Sequence, residues 1–153
     1  ESGMLDMKQL VLEKDKSVIG IFCDNAVTDH DGNLFDACSY ASTAAINSCK
    51  IPKYEMQDER PVKIEDEFSE PPITTLPVSV TMAKIGDFIL VDPTIEEWGI
   101  MDARITITSN SDGNVVALQK GGSDGFTQEE LIICAELSIK VGSKIREIIK
   151  QSK

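Results

Sequence analysis

Apolar and polar positions along the chain follow two periods, one near two and one near four. Gln9–Glu13 and Val18–Thr28 are apolar-rich runs separated by the polar Lys14-Asp15-Lys16-Ser17, which predicts a hairpin of one short and one long strand. Asp31-Gly32-Asn33 follows as a tight turn, because Asn and Gly tolerate positive φ. Ala37, Ala41 and Ala45 then fall on one helical face with Ala44 beside them, so the next segment predicts a helix that packs closely through small residues. Asp36 is its expected N-cap. The helix is expected to end near Asn47–Cys49, before Pro52.

Residues 51–76 change character. They are acidic, and Pro52, Pro61, Pro71 and Pro72 interrupt them, so an exposed connector is expected with a brief strand at Val62–Ile64. Pro77–Ile85 alternates as a half-buried strand does. Gly86-Asp87 turns it and Phe88–Val91 returns. Asp92-Pro93-Thr94 ends that strand and opens a short turn carrying Glu96, Glu97 and Trp98. Ala103–Thr108 and Val115–Gln119 are two further strands around the turn Asn110–Asn114. Lys120–Phe126 reads as a flexible link. Thr127 and Glu130 form a capping box, and Leu131, Cys134, Leu137, Val141, Ile145 and Ile148 make the apolar stripe of a long final helix. Lys144, Arg146, Lys150 and Lys153 gather near its C-terminus, where they suit the helix dipole. The fold class expected is α+β (mixed α/β).

The chain has 153 residues, 41% of them hydrophobic, which supports a real core and one domain or slightly more. No stretch approaches the roughly 20 apolar residues of a membrane span, so no membrane partner is expected. The opening Glu1-Ser2 has no signal-peptide layout and suggests a fragment. With 15 basic against 26 acidic residues the net charge is −11, so the chain alone is a poor nucleic-acid binder; a partner must supply positive charge for any such role. Four cysteines (Cys23, Cys38, Cys49, Cys134) form no CxxC pair and one histidine is present, which argues against zinc; Cys23 and Cys134 are expected in the core.

Candidate chemistry is sparse. Asp29, Asp31 and Asn33 begin like a calcium loop, but Leu34 and Tyr40 stand where glycine and glutamate are required. His30 reads as a turn residue. The helix start at Asp36 offers backbone N–H groups, yet Asn33, Leu34, Phe35 and Asp36 oppose an anion. The Gly121-Gly122-Ser123-Asp124-Gly125 stretch is no phosphate loop, and Asp124, Glu129 and Glu130 would repel phosphate. Asp92, Glu96, Glu97 and Asp102 form an acidic group that is read either as a solvated turn or as a magnesium or acid–base site. No metal or other cofactor is expected.

DHDGNLFDAC with its Ala-rich helix, LPVSVTMAKIGDFILVDPTIEEW, MDARITI, VVALQKGG and FTQEEL together resemble the RNase PH family, and within it the non-catalytic RNase PH-like subunit of the archaeal exosome core ring. The resemblance covers nearly the whole chain. It implies that residues 1–50 end a first RNase PH-like half (ribosomal S5 domain 2-like), that 51–76 connect, and that 77–153 are the second RNase PH domain, with further residues preceding in the family. Active members degrade RNA from its 3′ end with inorganic phosphate, which they hold on a Gly-Gly-Thr-Arg-like turn. The matching positions here are Gly32, Asn33, Leu34 and Phe35. Of two aspartates on the strand GDFILVD, the first falls at Gly86 and the second is kept as Asp92. The resemblance therefore implies a subunit without catalytic residues of its own. It would pair with a catalytic RNase PH-like paralogue in a hexameric ring, alongside RNA-binding cap subunits and single-stranded RNA. The expected location is the cytoplasm, or the nucleus for a eukaryotic chain. The competing reading is a phosphorolytic 3′–5′ exoribonuclease that uses Asp92 with magnesium. Individual RNA-contacting residues are not assigned by the sequence.

Overall fold

The computed structural model describes residues 2–152. Glu1, on which the expectation of a fragment partly rests, and Lys153, the last of the expected basic cluster, lie outside the described residues. In chain order a short 3-10 turn at Met7–Leu10 leads to β1 (Val11–Glu13), β2 (Ser17–Val18), α1 (Leu34–Ser48), β3 (Ile51–Gln57), β4 (Arg60–Ser69), β5 (Val78–Ile85), β6 (Phe88–Val91), α2 (Ile95–Ile100), β7 (Ala103–Ser109), β8 (Val115–Gly122) and α3 (Gln128–Gln151). The fold is mixed α and β. Among the described residues no helix is long and apolar enough to cross a membrane.

The centre is a four-stranded antiparallel sheet in the order β6-β5-β7-β8. Alternation along β5 and β7 puts Val78, Val80, Met82, Ile105 and Ile107 on one face, and α3 covers them with Cys134 and Ile149. Burial pushes the Cys134 thiol up to about 11, so it stays protonated as a packing residue. The start of α3 is held twice. Thr127 Oγ1 accepts from Glu130 N–H while the Glu130 carboxylate accepts from Thr127 N–H, and Glu130 also pairs with Lys84 of β5 at 2.7 Å.

β5 is more buried than a half-buried strand, because its second face is also covered. β7 lies along one side of it throughout, but β6 joins its other side only from Met82. Beside Pro77–Thr81 the strand edge is satisfied by a helix instead. Thr81 N–H donates to Asp36 Oδ2 at 2.7 Å and Ser79 N–H to Ser39 Oγ at 3.4 Å, while Thr43 Oγ1 donates to the Pro77 carbonyl at 3.0 Å. Asp36, Ser39 and Thr43 are three and four residues apart, one face of α1.

This docking overturns two expectations. α1 meets the strand edge through its polar face and packs on the core through Tyr40, Ala44 and Ile46, while Ala37, Ala41 and Ala45 are exposed, because alanine has nothing to offer an open strand edge. Asp36 is not the N-cap. Asn33 takes that place with φ 40°, and its side chain makes no cap hydrogen bond.

Other differences have similar causes. The β1–β2 hairpin forms, but Val18–Thr28 is not a long strand: after Ile19 N–H donates to the Leu10 carbonyl the segment meets no strand among the described residues, and Phe22 and Cys23 are exposed rather than core. Residues 51–69, expected as a connector, form a long exposed hairpin. Its turn residues Asp58 and Glu59 both have positive φ, the type I′ requirement met without the Asn-Gly signal. The turn after Asp92 is the short helix α2, begun by a Thr94–Glu97 capping box. β8 runs on through Gly121 and Gly122, which were expected in a flexible link. On α3 the buried line is Cys134, Ser138, Gly142, Arg146 and Ile149, whereas Leu131 and Ile148 are exposed. Arg146 leaves the expected basic surface cluster and donates from Nη1 to Ser109 O and Oγ.

Thr43→Val keeps the shape of the side chain and leaves the Pro77 carbonyl without its donor. It is expected to lower unfolding free energy by about 1–3 kcal/mol, read as a lower urea midpoint with unchanged slope.

Candidate functional site

The turn before α1 and the end of β6 meet at the N-terminal end of α1. Gly32 forms an isolated β-bridge with Thr94 and has φ 106°. A Cβ there would lie 2.7 Å from the Pro93 carbonyl oxygen, so only glycine lets the two segments touch. The contact brings Asn33 beside Asp92. Asn33 Nδ2 donates to Asp92 Oδ1 at 2.6 Å and to Asp36 Oδ2 at 2.9 Å. One buried carboxamide thus uses both its N–H groups to bridge two carboxylates. Its own Oδ1 is buried without a partner, at a cost of about 1–3 kcal/mol.

Asp36 has further donors. Thr81 gives it both its backbone N–H and, at 2.8 Å, its hydroxyl. Thr106 Oγ1 lies 2.8 Å from Thr81 Oγ1, so the hydroxyl pair carries the network on to β7. Burial nevertheless pushes Asp36 above the ordinary carboxylate range; the three donors pull it down and the charge of Asp92 adds to the rise. Tyr40, one turn on, is pushed up by burial and by the charges of Asp36 and Asp92. A cleft of about 420 Å³ opens here, and Asp31, Asp36, Tyr40 and Asp92 are among its lining residues. A cation bridging Asp36 and Asp92 would have to displace the Asn33 amide. Among the described residues no group of three or more acidic, Cys or His side chains is placed to hold a metal. These residues do not fit magnesium.

The other candidate acids are dispersed. Glu97 accepts from Thr94 N–H within its own helix, and Asp102 Oδ2 accepts from Gly86 N–H at 2.7 Å in the β5–β6 turn. Asp29 accepts from His30 N–H, and His30 Nδ1 from Gly32 N–H, so the would-be calcium loop is closed on itself. Glu130 is engaged with Lys84. Gly86 sits in an exposed turn away from the Asn33 cluster, and Asp87 is exposed beside it.

On the other side of Gly32–Asn33 lies an aromatic group. Phe35 and Trp98 stack with centroids 6.2 Å apart, and Arg104 places its guanidinium carbon 4.4 Å from the first ring and 4.8 Å from the second. Gly121 leaves the space that the Arg104 side chain needs, since a Cβ there would stand 2.5 Å from Nε. Thr81, Thr106, Tyr40 and Arg104 were not singled out as site residues by sequence reasoning. Thr81 carries a weak signal, being a polar residue in the middle of an apolar-rich strand. Tyr40 carries another, being one helical turn from Asp36.

Because Asp36 is raised in the folded state, the native chain holds its proton to higher pH than the unfolded chain. Its contribution to stability is therefore greatest below the ordinary value of 3.8 and declines as pH rises through the raised value. The stability of the wild type relative to Asp36→Asn is expected to decline over that window; urea midpoints across an acid-to-neutral series check this.

Residues 75–141 match the 3′ exoribonuclease family, domain 2. The chain is 42% identical over 148 residues to exosome complex component Rrp42 of Thermococcus kodakarensis, covering 96% of this chain and 54% of that protein. It is 40% identical over 151 residues to the Methanopyrus kandleri protein of the same name, covering 98% and 56%. It spans about half the length of the curated relatives it matches. Among solved structures, an Archaeoglobus fulgidus exosome with RNA bound to the active site superposes with TM-score 0.77 at 34% identity, covering 96% of this chain and 55% of that one. An archaeal exosome core gives TM-score 0.79 at 33% identity, with 98% and 58% covered. These matches agree: the chain carries the second, C-terminal domain of the RNase PH family of 3′ exoribonucleases.

Proposed function

We propose that the chain is part of a non-catalytic subunit of an archaeal exosome ring. The subunit pairs with a catalytic RNase PH-like paralogue in a hexamer, shapes the paralogue's active site for phosphate-dependent 3′–5′ RNA degradation and helps to bind RNA. Cap subunits that bind RNA and single-stranded RNA itself are its further partners, and the cytoplasm is its location. Residues 1–50, 51–76 and 77–153 are taken as the end of the first half, the connector and the second RNase PH domain.

One observation carries the reading. Where the resemblance places a phosphate cradle, Asn33 locks Asp36 to Asp92 and Phe35 is stacked against Trp98. Leu34 and Phe35 bring no hydroxyl and no guanidinium, the carboxylates beside them repel phosphate, and Gly86 stands where the resemblance expects the first aspartate of the Asp92 strand. The competing reading, an exoribonuclease active in its own right, keeps Asp92 as its acid.

Two measurements separate them. The full natural chain mixed with a phosphorolytic paralogue is expected to co-elute at hexamer mass in size-exclusion chromatography with light scattering, and to release no nucleoside diphosphates by itself. Asp92→Asn preserves an acceptor for the Asn33 amide and is expected to leave phosphorolysis by the assembled complex unchanged. A loss of about a hundredfold or more would instead establish Asp92 as a catalytic acid or base.

A further inference from the structure

Beside the acidic cleft runs a groove of different chemistry. Leu34, Ile95, Trp98 and Phe35 line an apolar slot of about 210 Å³. Phe35 also borders a second recess of about 350 Å³, lined by the paired hydroxyls of Ser79 and Thr108, by the Gln119 amide and by Ala117 and Leu118. No carboxylate lines either recess, although the chain carries 26 acidic residues. Arg104 stands over Phe35 and over Trp98. It makes no ion pair with a described carboxylate and rests on two ring faces instead. A guanidinium stacked in this way keeps its N–H edge available while the rings fix its plane. Phe35 is 40% exposed and borders both recesses.

We propose that Phe35, Trp98 and Arg104 form a docking platform for a nucleotide of single-stranded RNA. The base lies on the exposed aromatic surface, the Arg104 edge donates to a phosphate oxygen or a base acceptor, and the Ser79–Thr108–Gln119 surface receives the ribose or the base edge. An aromatic face, a fixed guanidinium and neutral hydrogen-bonding groups are what binding of unpaired nucleotides uses. A guanidinium held on rings without an acidic partner favours a phosphate-bearing ligand over an apolar protein face. The proposal rests on the RNA-processing reading above and adds residues to it. The platform is not a reaction centre: it holds RNA and leaves the chemistry to the partner.

The test uses the full natural chain, alone and assembled with its paralogue, and a short single-stranded oligouridylate carrying 5-iodouridine and a fluorescent end label. Photocrosslinking followed by mass spectrometry is expected to mark Phe35 or Trp98. Phe35→Leu keeps apolar bulk and removes the ring face; Arg104→Gln keeps hydrogen bonding and removes the charge. Each is expected to weaken anisotropy-measured affinity by about tenfold, the scale of one lost base stack, with circular dichroism and co-elution unchanged. Unaltered affinity in both variants with no crosslink at either ring overturns the proposal. So does loss of co-elution by folded variants, which makes this face a protein contact instead. If the wild type does not join the paralogue, the ring-subunit reading fails, and crosslinking of the chain alone still decides the platform.

Discussion

An open strand edge constrains this fold more than any other feature. Over Pro77–Thr81, β5 has a strand on one side only, and an unpaired backbone group buried there costs about as much as a lost hydrogen bond. α1 supplies the missing partners from Asp36, Ser39 and Thr43. That fixes the helix against the sheet at one depth and one rotation. Because Asp36 faces the strand, it is not the helix cap. Asn33 occupies that position in a left-handed conformation, and its amide reaches Asp92 and Asp36. The geometry of the candidate site therefore follows from how an edge is closed.

The sequence made the second domain legible because there each local signal agrees with the global fold. The alternation in Pro77–Ile85, the turn at Gly86 and the Thr127–Glu130 box are read directly as β5, the β5–β6 turn and the start of α3. It misled where the decisive partner is distant in sequence. Val18–Thr28 has strand composition but meets no strand to pair with among the described residues. The alanine face of α1 looks like a packing face until Thr81, far along the chain, proves to need an acceptor. The hairpin of residues 51–69 lacks turn glycines, so by acidity and proline content it reads as a connector. On α3, small Ser138 and Gly142 let the helix approach Ser109; a Cβ on Gly142 would stand 2.9 Å from Ser109 Oγ. Hydrophobicity alone cannot find such a seam.

The site was half legible. The electrostatic argument against an anion at the α1 start needed only residue types, and the structure adds Asp31, Asp36 and Asp92 around one cleft. What types cannot tell is how two carboxylates remain close without a cation between them. A carboxamide does it by giving one N–H to each, and the unpartnered Asn33 Oδ1 is what that arrangement costs. Asparagine here acts as a neutral bridge between the two carboxylates.

Charge then divides the surface around Asn33 into two faces. On one side the carboxylates repel phosphate and are tied down by hydrogen bonds. On the other, no acid lines the recesses and Arg104 is held by rings rather than by a counter-ion. In a chain of net charge −11 an acidic partner for an arginine is easily come by, so a guanidinium stabilised without one retains its full capacity to meet a negative group from outside. A carboxylate partner would have satisfied the same side chain and used up that capacity. The aromatic pair thus does two things together: it orients the guanidinium, and it leaves the positive charge uncancelled in a chain of net negative charge.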